Sequence, residues 1–213
     1  MGWLMAKVYD RIMHGAEGRH FADWRRDALK DVSGEVLEIG AGTGANLSVY
    51  GPGLSRLVLL EPDPHMRVQL GKKLMTTTLA ATGLQAELAE DAGECLPYED
   101  ASFDWVVSTL VLCSVANTAQ VLSELHRVLR PGGKLAFVEH VLDSSDETNR
   151  RRQLRWQPLW GLFASHCQVT RDTALAISSA GFEMGSLEHS RMSLGPKIVR
   201  PVIRGYATRP NQL

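Results

Sequence analysis

Residues 36–47, VLEIGAGTGANL, join a short apolar run to a loop in which glycine occupies three alternate positions. The run is typical of a buried strand, and the pattern that follows predicts a helix over residues 45–50. At Gly40, Gly42 and Gly44 the backbone can approach a ligand closely, because no Cβ stands in the way. The stretch therefore predicts a ligand-binding turn at the carboxyl end of a strand.

The rest of the chain repeats this alternation of short strands and helices, which requires a parallel sheet built from crossover units. No helical pattern separates the last two predicted strands, so we expect them to pair antiparallel. The predicted strands cover residues 36–39, 57–60, 85–89, 103–112, 134–140, 182–190 and 197–208, and the predicted helices cover residues 45–50, 64–81, 118–129 and 172–180.

Two further helical segments flank this α/β pattern. Residues 1–32 carry apolar side chains at spacings typical of two amphipathic helices, which we interpret as a lid. Residues 143–166 begin polar and become rich in Trp and Leu, which predicts a helical insertion over the active site. With 213 residues, the chain is long enough for one sizeable core, and we predict a single domain over residues 1–213.

The composition is that of an ordinary soluble globular protein, with 44% apolar and 22% charged residues. The 23 basic and 24 acidic side chains nearly balance, which gives no electrostatic case for a nucleic-acid partner. No segment approaches the roughly 18 consecutive apolar residues of a transmembrane helix. The start of the sequence, MGWLMAKVYDRIMHG, lacks the apolar core of a signal peptide. The three widely spaced cysteines suit reduced thiols, and we predict a cytoplasmic protein.

The glycine loop alone does not choose its ligand. With Ala45 it also matches the dinucleotide-binding pattern G-x-G-x-x-A, and Glu61 lies where an acidic residue would bind a ribose. Glu38 favours a different cofactor, because a carboxylate inside a strand is costly unless it is paired. The amino group of S-adenosylmethionine, or donors in the loop, would pair with it, whereas a pyrophosphate would be repelled. Glu61 would then accept hydrogen bonds from both ribose hydroxyls.

Four motifs in this order resemble class I S-adenosylmethionine-dependent methyltransferases: ExGxGxG at 38–44, the acid Glu61, LPYEDASFDWVV at 96–107 and RVLRPGG at 127–133. The resemblance implies a Rossmann-like sheet of seven strands, mostly parallel with an antiparallel last strand, and helices on both faces. It also implies S-adenosylmethionine as the cofactor.

A narrower set of motifs resembles the mammalian membrane-associated alkyl thiol methyltransferases over roughly residues 35–208. These motifs are VLEIGAGTGAN, TLVLCSV at 109–115, RVLRPGG, EHV at 139–141, the CxxTR pattern at 167–171 and VRPxIxGYA at 199–207. Those relatives carry an apolar amino-terminal anchor that this sequence does not show, so we expect no transmembrane segment and leave peripheral membrane contact open.

The resemblance also assigns cofactor contacts by motif position. The adenine pocket is expected at Ala92, Gly93 and Glu94, with Asp91 as a substitute for the acid that the broad family places there. The alternative for Asp91 and Glu94 is that they are solvated loop acids. The remaining expected cofactor residues are Glu38, Gly40, Ala41, Gly42, Gly44, Asn46, Glu61, Pro62, Thr109 and Leu110.

Methyl transfer from a sulfonium is an in-line displacement that requires alignment and exclusion of water, and we predict no metal site. A thiol of pKa about 8.5 is a few per cent ionised at neutral pH, so a strong base is not obligatory. His140, at the end of a predicted strand and within EHV, is the candidate general base or acceptor-orienting group. A hydrogen-bonded structural histidine is the alternative, and His166 is a weaker candidate because the thiol-methylating relatives do not share it.

The remaining candidates have structural alternatives of comparable weight. Cys113 and Cys167 are interpreted as packed thiols, because direct transfer needs no enzyme nucleophile. The apolar residues Trp3, Leu4, Trp156, Trp160, Leu162 and Phe163 form either a cover for a lipophilic acceptor or ordinary core. The basic run Arg150, Arg151, Arg152 and Arg155 is either a solvated helix face or a contact for an anionic lipid or substrate carboxylate.

The leading hypothesis is methyl transfer from S-adenosylmethionine to a small, lipophilic acceptor, with a thiol sulfur favoured. The alternative within this class is a phospholipid or quinone methyltransferase, because SFDWVV and RVLRPGG also occur in N-, O- and C-methylating relatives. From other classes, a nonenzymatic S-adenosylmethionine-binding module and a nicotinamide dehydrogenase remain open.

Overall fold

Seven strands form one sheet in the computed structural model, which describes residues 21–77, 79, 84–164 and 166–211. Their order is β3-β2-β1-β4-β5-β7-β6. Strands β1 to β5 are parallel, whereas β7 runs antiparallel to both β5 and β6, as predicted. The strands are β1 (Gly34–Ile39), β2 (Leu54–Leu60), β3 (Gln85–Ala89), β4 (Phe103–Thr109), β5 (Leu129–His140), β6 (Glu183–Arg191) and β7 (Pro201–Thr208).

Helices pack on both faces of this sheet, because alternate strand residues point to opposite sides. On one face, Leu37 and Ile39 of β1 belong to a core that includes residues of α3 and α5. On the other face, Val36 belongs to a core that includes residues of α1 and α2. The helices are α1 (21–29), α2 (Pro64–Leu74), α3 (Thr118–Val128), α4 (Glu147–Phe163) and α5 (Thr173–Ser179), and a 3-10 turn covers Lys197–Val199. The predicted Rossmann-like fold is confirmed.

The helix predicted over residues 45–50 is wrong, because this segment is a series of turns. Its backbone bonds span three residues, from the Leu47 amide to the Gly44 carbonyl and from the Val49 amide to the Asn46 carbonyl. The side chains of Asn46 and Tyr50 both bind Glu38 in β1, so the segment follows that buried carboxylate rather than its helical periodicity.

Other predicted boundaries also differ, and the strand predicted over 197–208 begins at Pro201, because Lys197–Val199 form a 3-10 turn. The strand predicted over 103–112 ends at Thr109, where Leu110 takes a positive φ of 59°. The helix predicted over 64–81 ends at Leu74. The strand predicted over 134–140 begins at Leu129, so β5 includes the RPGG turn, which bonds to the end of the chain through Gly132 and Arg209. The first predicted helix and most of the lid lie outside the described residues, and residues 21–29, which are described, are helical.

Strand order places the glycine loop at the sheet's switch point. β1 pairs with β2 on one side and with β4 on the other, so the connections leaving these strands diverge and open a crevice at their carboxyl ends. The same edge carries α4, which is held by buried polar contacts. Gln153 donates to the backbone carbonyls of Val141, Val169 and Ile198 and accepts from the Asp143 amide.

Candidate active site

Glu38 is buried at the end of β1, and both of its carboxylate oxygens are bound by protein. Asn46 Nδ2 donates to Oε1 at 2.9 Å and Tyr50 Oη donates to Oε2 at 2.6 Å. Arg25 Nη1 donates to Asn46 Oδ1 at 2.8 Å and extends the chain of bonds to α1. Burial raises the pKa of Glu38 to about 7, although the bonds from Tyr50 and Asn46 lower it. Glu38 therefore fixes the turns that follow the glycine loop.

Glu61 lies directly after β2 and orients toward the glycine loop. Its Oε2 accepts from the Gly42 amide and its Oε1 from the Asp63 amide, both at 2.8 Å. Each oxygen keeps a further lone pair, so the carboxylate can still accept two hydroxyl groups. Burial raises the pKa of Glu61, and the two amide bonds oppose that shift. Pro62 follows on the surface, where Arg67 Nη1 donates to the carbonyls of Glu61 and Pro62.

Gly40 and Gly42 differ in what surrounds the position that a Cβ would take. A Cβ on Gly40 would lie 2.6 Å from Val111 Cγ2, so the loop after β4 packs directly on this position. At Gly42, whose φ is 59°, the nearest atom to a Cβ would be the Gly40 carbonyl oxygen at 3.9 Å. The space over Gly42 is therefore open and borders Glu61. The buried Ala41 amide binds the Leu60 carbonyl, and Gly44 packs on Leu47 and Leu70.

The end of β4 completes the crevice opposite the glycine loop. Thr109 Oγ1 accepts from Asn46 Nδ2 at 3.1 Å, which links β4 to the turn after β1. Leu110 follows with a φ of 59°, a conformation that side chains other than glycine adopt at an energetic cost and that is often found at ligand sites. The Leu110 amide still bonds to the Val138 carbonyl, so the strained residue is held in place.

The segment predicted to contact adenine lies after β3 and is attached to the loop before α3. Glu94 Oε1 accepts from the Ala116 amide at 3.2 Å, and the Glu94 carbonyl accepts from Gln120 Nε2 at 2.9 Å. Gly93 approaches Val121 of α3, where an added Cβ would lie 3.3 Å from Cγ1. Ala92 is exposed. The bond from the Ala116 amide to Glu94 is exposed to solvent, and Asp91 is half-buried at the start of the segment.

Glu139 was missed as a site residue, although it is completely buried in β5. Its Oε1 accepts from Ser108 Oγ and from the amides of Val111 and Leu112, and its Oε2 accepts from the Cys113 amide. Three consecutive amides thus converge on one carboxylate, which fixes the loop after β4. The argument applied to Glu38, that a carboxylate inside a strand needs partners, would have identified Glu139 as well.

His140, the candidate catalytic residue, is buried at the carboxyl end of β5, and its Nδ1 atom has no hydrogen-bond partner. Burial lowers the pKa of His140 to about 4, while backbone groups of Val199 and Pro201 act in the opposite direction. The imidazole is therefore neutral at physiological pH and can accept a hydrogen bond. His166 is exposed and lies apart from this strand end, in the loop after α4.

The insertion α4 lies at the carboxyl edge of the sheet, and its apolar side chains fall into a packed group and an exposed group. Trp160 packs with Cys113, Cys167 and Val199, whereas Trp156 and Leu162 are largely exposed. The four arginines predicted as a basic run, Arg150, Arg151, Arg152 and Arg155, are all exposed, and two of them pair with Glu147. Trp3 and Leu4 lie outside the described residues, and the side chain of Phe163 is not described.

A cavity of about 220 Å³ opens at the far end of the same edge, where β5, β6 and β7 meet. In the sheet order, one strand, β4, lies between β1, which precedes the glycine loop, and β5, which borders the cavity. Its lining includes Asp143 and Arg191, which form an ion pair at 2.6 Å. Among the described residues, no group of three or more His, Cys, Asp or Glu side chains is arranged to hold a metal ion.

No described helix has the length and apolar character needed to cross a membrane.

Comparison with known proteins agrees with these features. Residues 37–137 match the family described as "Methyltransferase domain". Human thiol S-methyltransferase TMT1A is 36% identical over 95% of this chain and 82% of its own length. Human thiol S-methyltransferase TMT1B is 37% identical over 85% of this chain and 74% of its own length. Among solved structures, the [4+2]-cyclase SpnF shares the fold with a TM-score of 0.75, at 15% identity and with 99% of this chain and 94% of that chain covered.

The open space over Gly42, the adjacent Glu61 carboxylate and the strained end of β4 fit a nucleoside cofactor bound at the switch point. Together with the similarity over nearly the whole chain, they establish S-adenosylmethionine as the cofactor. The chain belongs to the class I S-adenosylmethionine-dependent methyltransferases, in the family that contains the thiol S-methyltransferases.

Proposed function

We propose that this methyltransferase transfers the methyl group to the sulfur of a small, lipophilic thiol. The observation that carries the proposal is the 36% identity to a thiol S-methyltransferase over 95% of the chain. Such a match includes the segments around the acceptor side, β5 to β7 and α4, and not only the cofactor-binding half.

The chemistry of the strand ends supports a thiol acceptor. Of the titratable groups described at the end of β5, Glu139 is occupied by four donors and His140 has a pKa of about 4. Neither group suits the removal of a proton from a very weakly acidic acceptor such as an alcohol. A thiol is already partly ionised near neutral pH and needs mainly alignment and exclusion of water.

We assign the cofactor contacts to the residues that surround the crevice. Glu61 would accept the ribose hydroxyls, the backbone from Gly40 to Gly44 would hold the ribose and methionine portion, and Ala92 to Glu94 would flank the adenine. Pro62, Thr109 and Leu110 would complete the walls. When bound, the cofactor supplies an electrophilic methyl group. The chain holds the acceptor in line with it and keeps water out.

His140 is proposed to orient the acceptor. Its ring is neutral and its Nδ1 is unpartnered but fully buried, so a bound thiol would have to displace the covering side chains to reach this atom, and the low pKa makes the ring a weak base. Apolar side chains of α4, with residues 1–32, are proposed to cover a lipophilic acceptor. A cytoplasmic location is proposed because Cys95, Cys113 and Cys167 are all free thiols.

The test is a methyl-transfer assay with alkyl thiols, hydrogen sulfide, quinols and phosphatidylethanolamine, using S-adenosylmethionine labelled in the methyl group. We expect label on thiols, with kcat/KM rising with pH as the thiol ionises and shifting when a thiol of lower pKa is used. Label on quinols or phosphatidylethanolamine, without turnover of any thiol, would refute the thiol assignment. Label on no acceptor in a cell extract would support a nonenzymatic binding module.

A matched pair of variants tests the role of His140. His140→Gln keeps a hydrogen-bond acceptor, whereas His140→Leu removes it. An orienting role predicts a raised KM for the thiol in His140→Leu, with partial rescue in His140→Gln and an unchanged pH profile. Loss of a titration from the pH profile in both variants would instead identify a general base.

A further inference from the structure

Cys113 and Cys167 bring their sulfur atoms together although 54 positions separate them in the sequence. The two Sγ atoms lie 3.6 Å apart, which is direct contact with no atom between them. Both side chains are buried, at 1% and 7% exposure, in a small cluster with Val169 and Val199. Neither sulfur is needed by the methyl-transfer step, so this pair has no role in the proposed function.

Hydrogen bonds already connect the two segments that carry the cysteines, on both sides of the sulfur contact. The Gln168 amide donates to the Cys113 carbonyl at 2.7 Å. Arg171 donates from Nη1 to the Leu112 carbonyl and from Nη2 to the Val115 carbonyl. These contacts hold residues 110–115 and 167–171 in one register. Closing the sulfurs from 3.6 Å to a bonding distance of about 2 Å therefore requires a small displacement of the two segments toward each other.

The two thiols differ in reactivity. The two sulfurs share a hydrogen-bonding contact, and the presence of Cys113 lowers the pKa of Cys167. The same contact and complete burial raise the pKa of Cys113. Cys167 is therefore the thiol that ionises more readily, and it is also the more exposed of the two. The thiolate is the form that reacts with oxidants.

We propose that Cys113 and Cys167 form a dithiol site that hydroperoxides oxidise to a reversible intramolecular disulfide. The Cys167 sulfur attacks one oxygen of hydrogen peroxide, the O–O bond breaks, and a sulfenic acid and one water form. The Cys113 sulfur then attacks the Cys167 sulfur, the S–O bond breaks, and a second water leaves with the Cys113 proton. Two thiols lose two electrons in total, and the peroxide is reduced to two waters.

The bond would act on the loop that forms one wall of the cofactor crevice. Val111 of this loop packs on Gly40, and Cys113 is also held through its amide by Glu139. A disulfide would draw the Cys113 sulfur toward Cys167 while Glu139 holds the backbone. Because displacements of about 1 Å in a methyl-transfer site can cost up to 100-fold in rate, we expect oxidation to reduce kcat roughly tenfold.

The experiment treats the full-length protein with hydrogen peroxide, alkylates the remaining thiols under denaturing conditions and maps the peptides by mass spectrometry. We expect the peptides of Cys113 and Cys167 to be joined, with the loss of two hydrogen atoms. Dithiothreitol should reverse the bond and restore kcat. The oxidised form should also melt roughly 5 °C or more above the reduced form, because the bond constrains the unfolded chain.

Three variants complete the test. Cys95→Ser removes the exposed thiol and should still form the bond, whereas Cys113→Ser and Cys167→Ser should not form it. Cys113→Ser and Cys167→Ser should each keep its own untreated kcat after peroxide, whereas Cys95→Ser should lose activity like the wild type. Peptide mapping of the wild-type protein tests for the disulfide even where a variant fails to fold. Free or separately oxidised Cys113 and Cys167 in that map, an unchanged kcat in the joined form, or equal inactivation of Cys113→Ser would each overturn the proposal.

Discussion

The two ends of the sheet's carboxyl edge use buried polar side chains in opposite ways. At the cofactor end, formed by the ends of β1, β2 and β4, three buried carboxylates accept hydrogen bonds from nearby loops. At the α4 end, Gln153 donates to three backbone carbonyls, and Asp143 accepts from Asn149 and Arg191. The first arrangement shapes loops around a crevice, whereas the second fastens a helix to the sheet.

The two ends also differ in the hydrogen-bonding capacity that remains for a ligand. Glu61 keeps lone pairs beside the open space over Gly42, so the cofactor end retains binding capacity after its loops are fixed. The side-chain NH2 group and carbonyl oxygen of Gln153 both bind backbone groups, so this residue fixes the position of α4. Substitutions at the cofactor end should therefore alter cofactor binding, and those at the α4 end should alter the acceptor side.

The largest effect is expected for Glu139→Ala, which would leave three amides and the Ser108 hydroxyl without their buried acceptor. We expect the free energy of unfolding to fall by about 4 kcal/mol, measured by denaturant titration. Glu139→Gln is the control, because its amide oxygen can still accept most of the bonds made to Oε1, and only the bond from the Cys113 amide must be lost to the NH2 group. Equal stability of the two variants would show that the loop does not depend on these bonds.

The next effect concerns the pH dependence of stability. The folded protein holds the pKa of Glu38 at about 7, above the ordinary 4.5, so the folded state binds an extra proton between these values. Stability contributed by this group should fall as pH rises from 4.5 to 7, by on the order of 3 kcal/mol, and level off above that range. Comparing denaturant titrations of wild type and Glu38→Gln across this range isolates the contribution. Parallel curves would contradict the assignment.

The α4 end is tested by Gln153→Ala, which removes four buried hydrogen bonds. We expect a loss of about 2–3 kcal/mol in the free energy of unfolding. We also expect a raised KM for the acceptor, with a Kd for S-adenosylhomocysteine within twofold of wild type. The exposed Leu154→Ala, on the same helix, is the control and should change neither constant. A raised Kd for S-adenosylhomocysteine in Gln153→Ala would show that the α4 end affects cofactor binding as well, against the proposed difference between the two ends.

The smallest effect expected is that of Glu61→Gln on binding. Replacing the charged acceptor weakens bonds to both ribose hydroxyls, and we expect the Kd for S-adenosylhomocysteine to rise about 30-fold, or about 2 kcal/mol. Calorimetric titration gives this constant directly. Glu99→Gln, at an exposed position outside the proposed cofactor contacts, is a matched control that should leave the Kd unchanged. Equal constants for wild type and Glu61→Gln would remove Glu61 from the ribose site.

Local sequence pattern predicted most of the fold because most elements have short-range causes. The alternation of apolar runs with helical patterns predicted the parallel strands, and the missing helix before the last strand predicted its antiparallel pairing. The failure at residues 45–50 has a long-range cause. Asn46 and Tyr50 bind Glu38, and that buried carboxylate overrides a helical periodicity too short to be stable by itself.

Within the site, the sequence by itself determined the cofactor end, since the three glycines, Glu38 and Glu61 lie within 24 positions and follow directly from two strands. Only the tertiary structure decided the partners of Glu139, the attachment of α4 by Gln153 and the contact of Cys113 with Cys167. Each of these joins segments that are distant in the chain, and a hydrogen bond or a sulfur contact depends on distances of a few ångström that only packing of the whole sheet fixes.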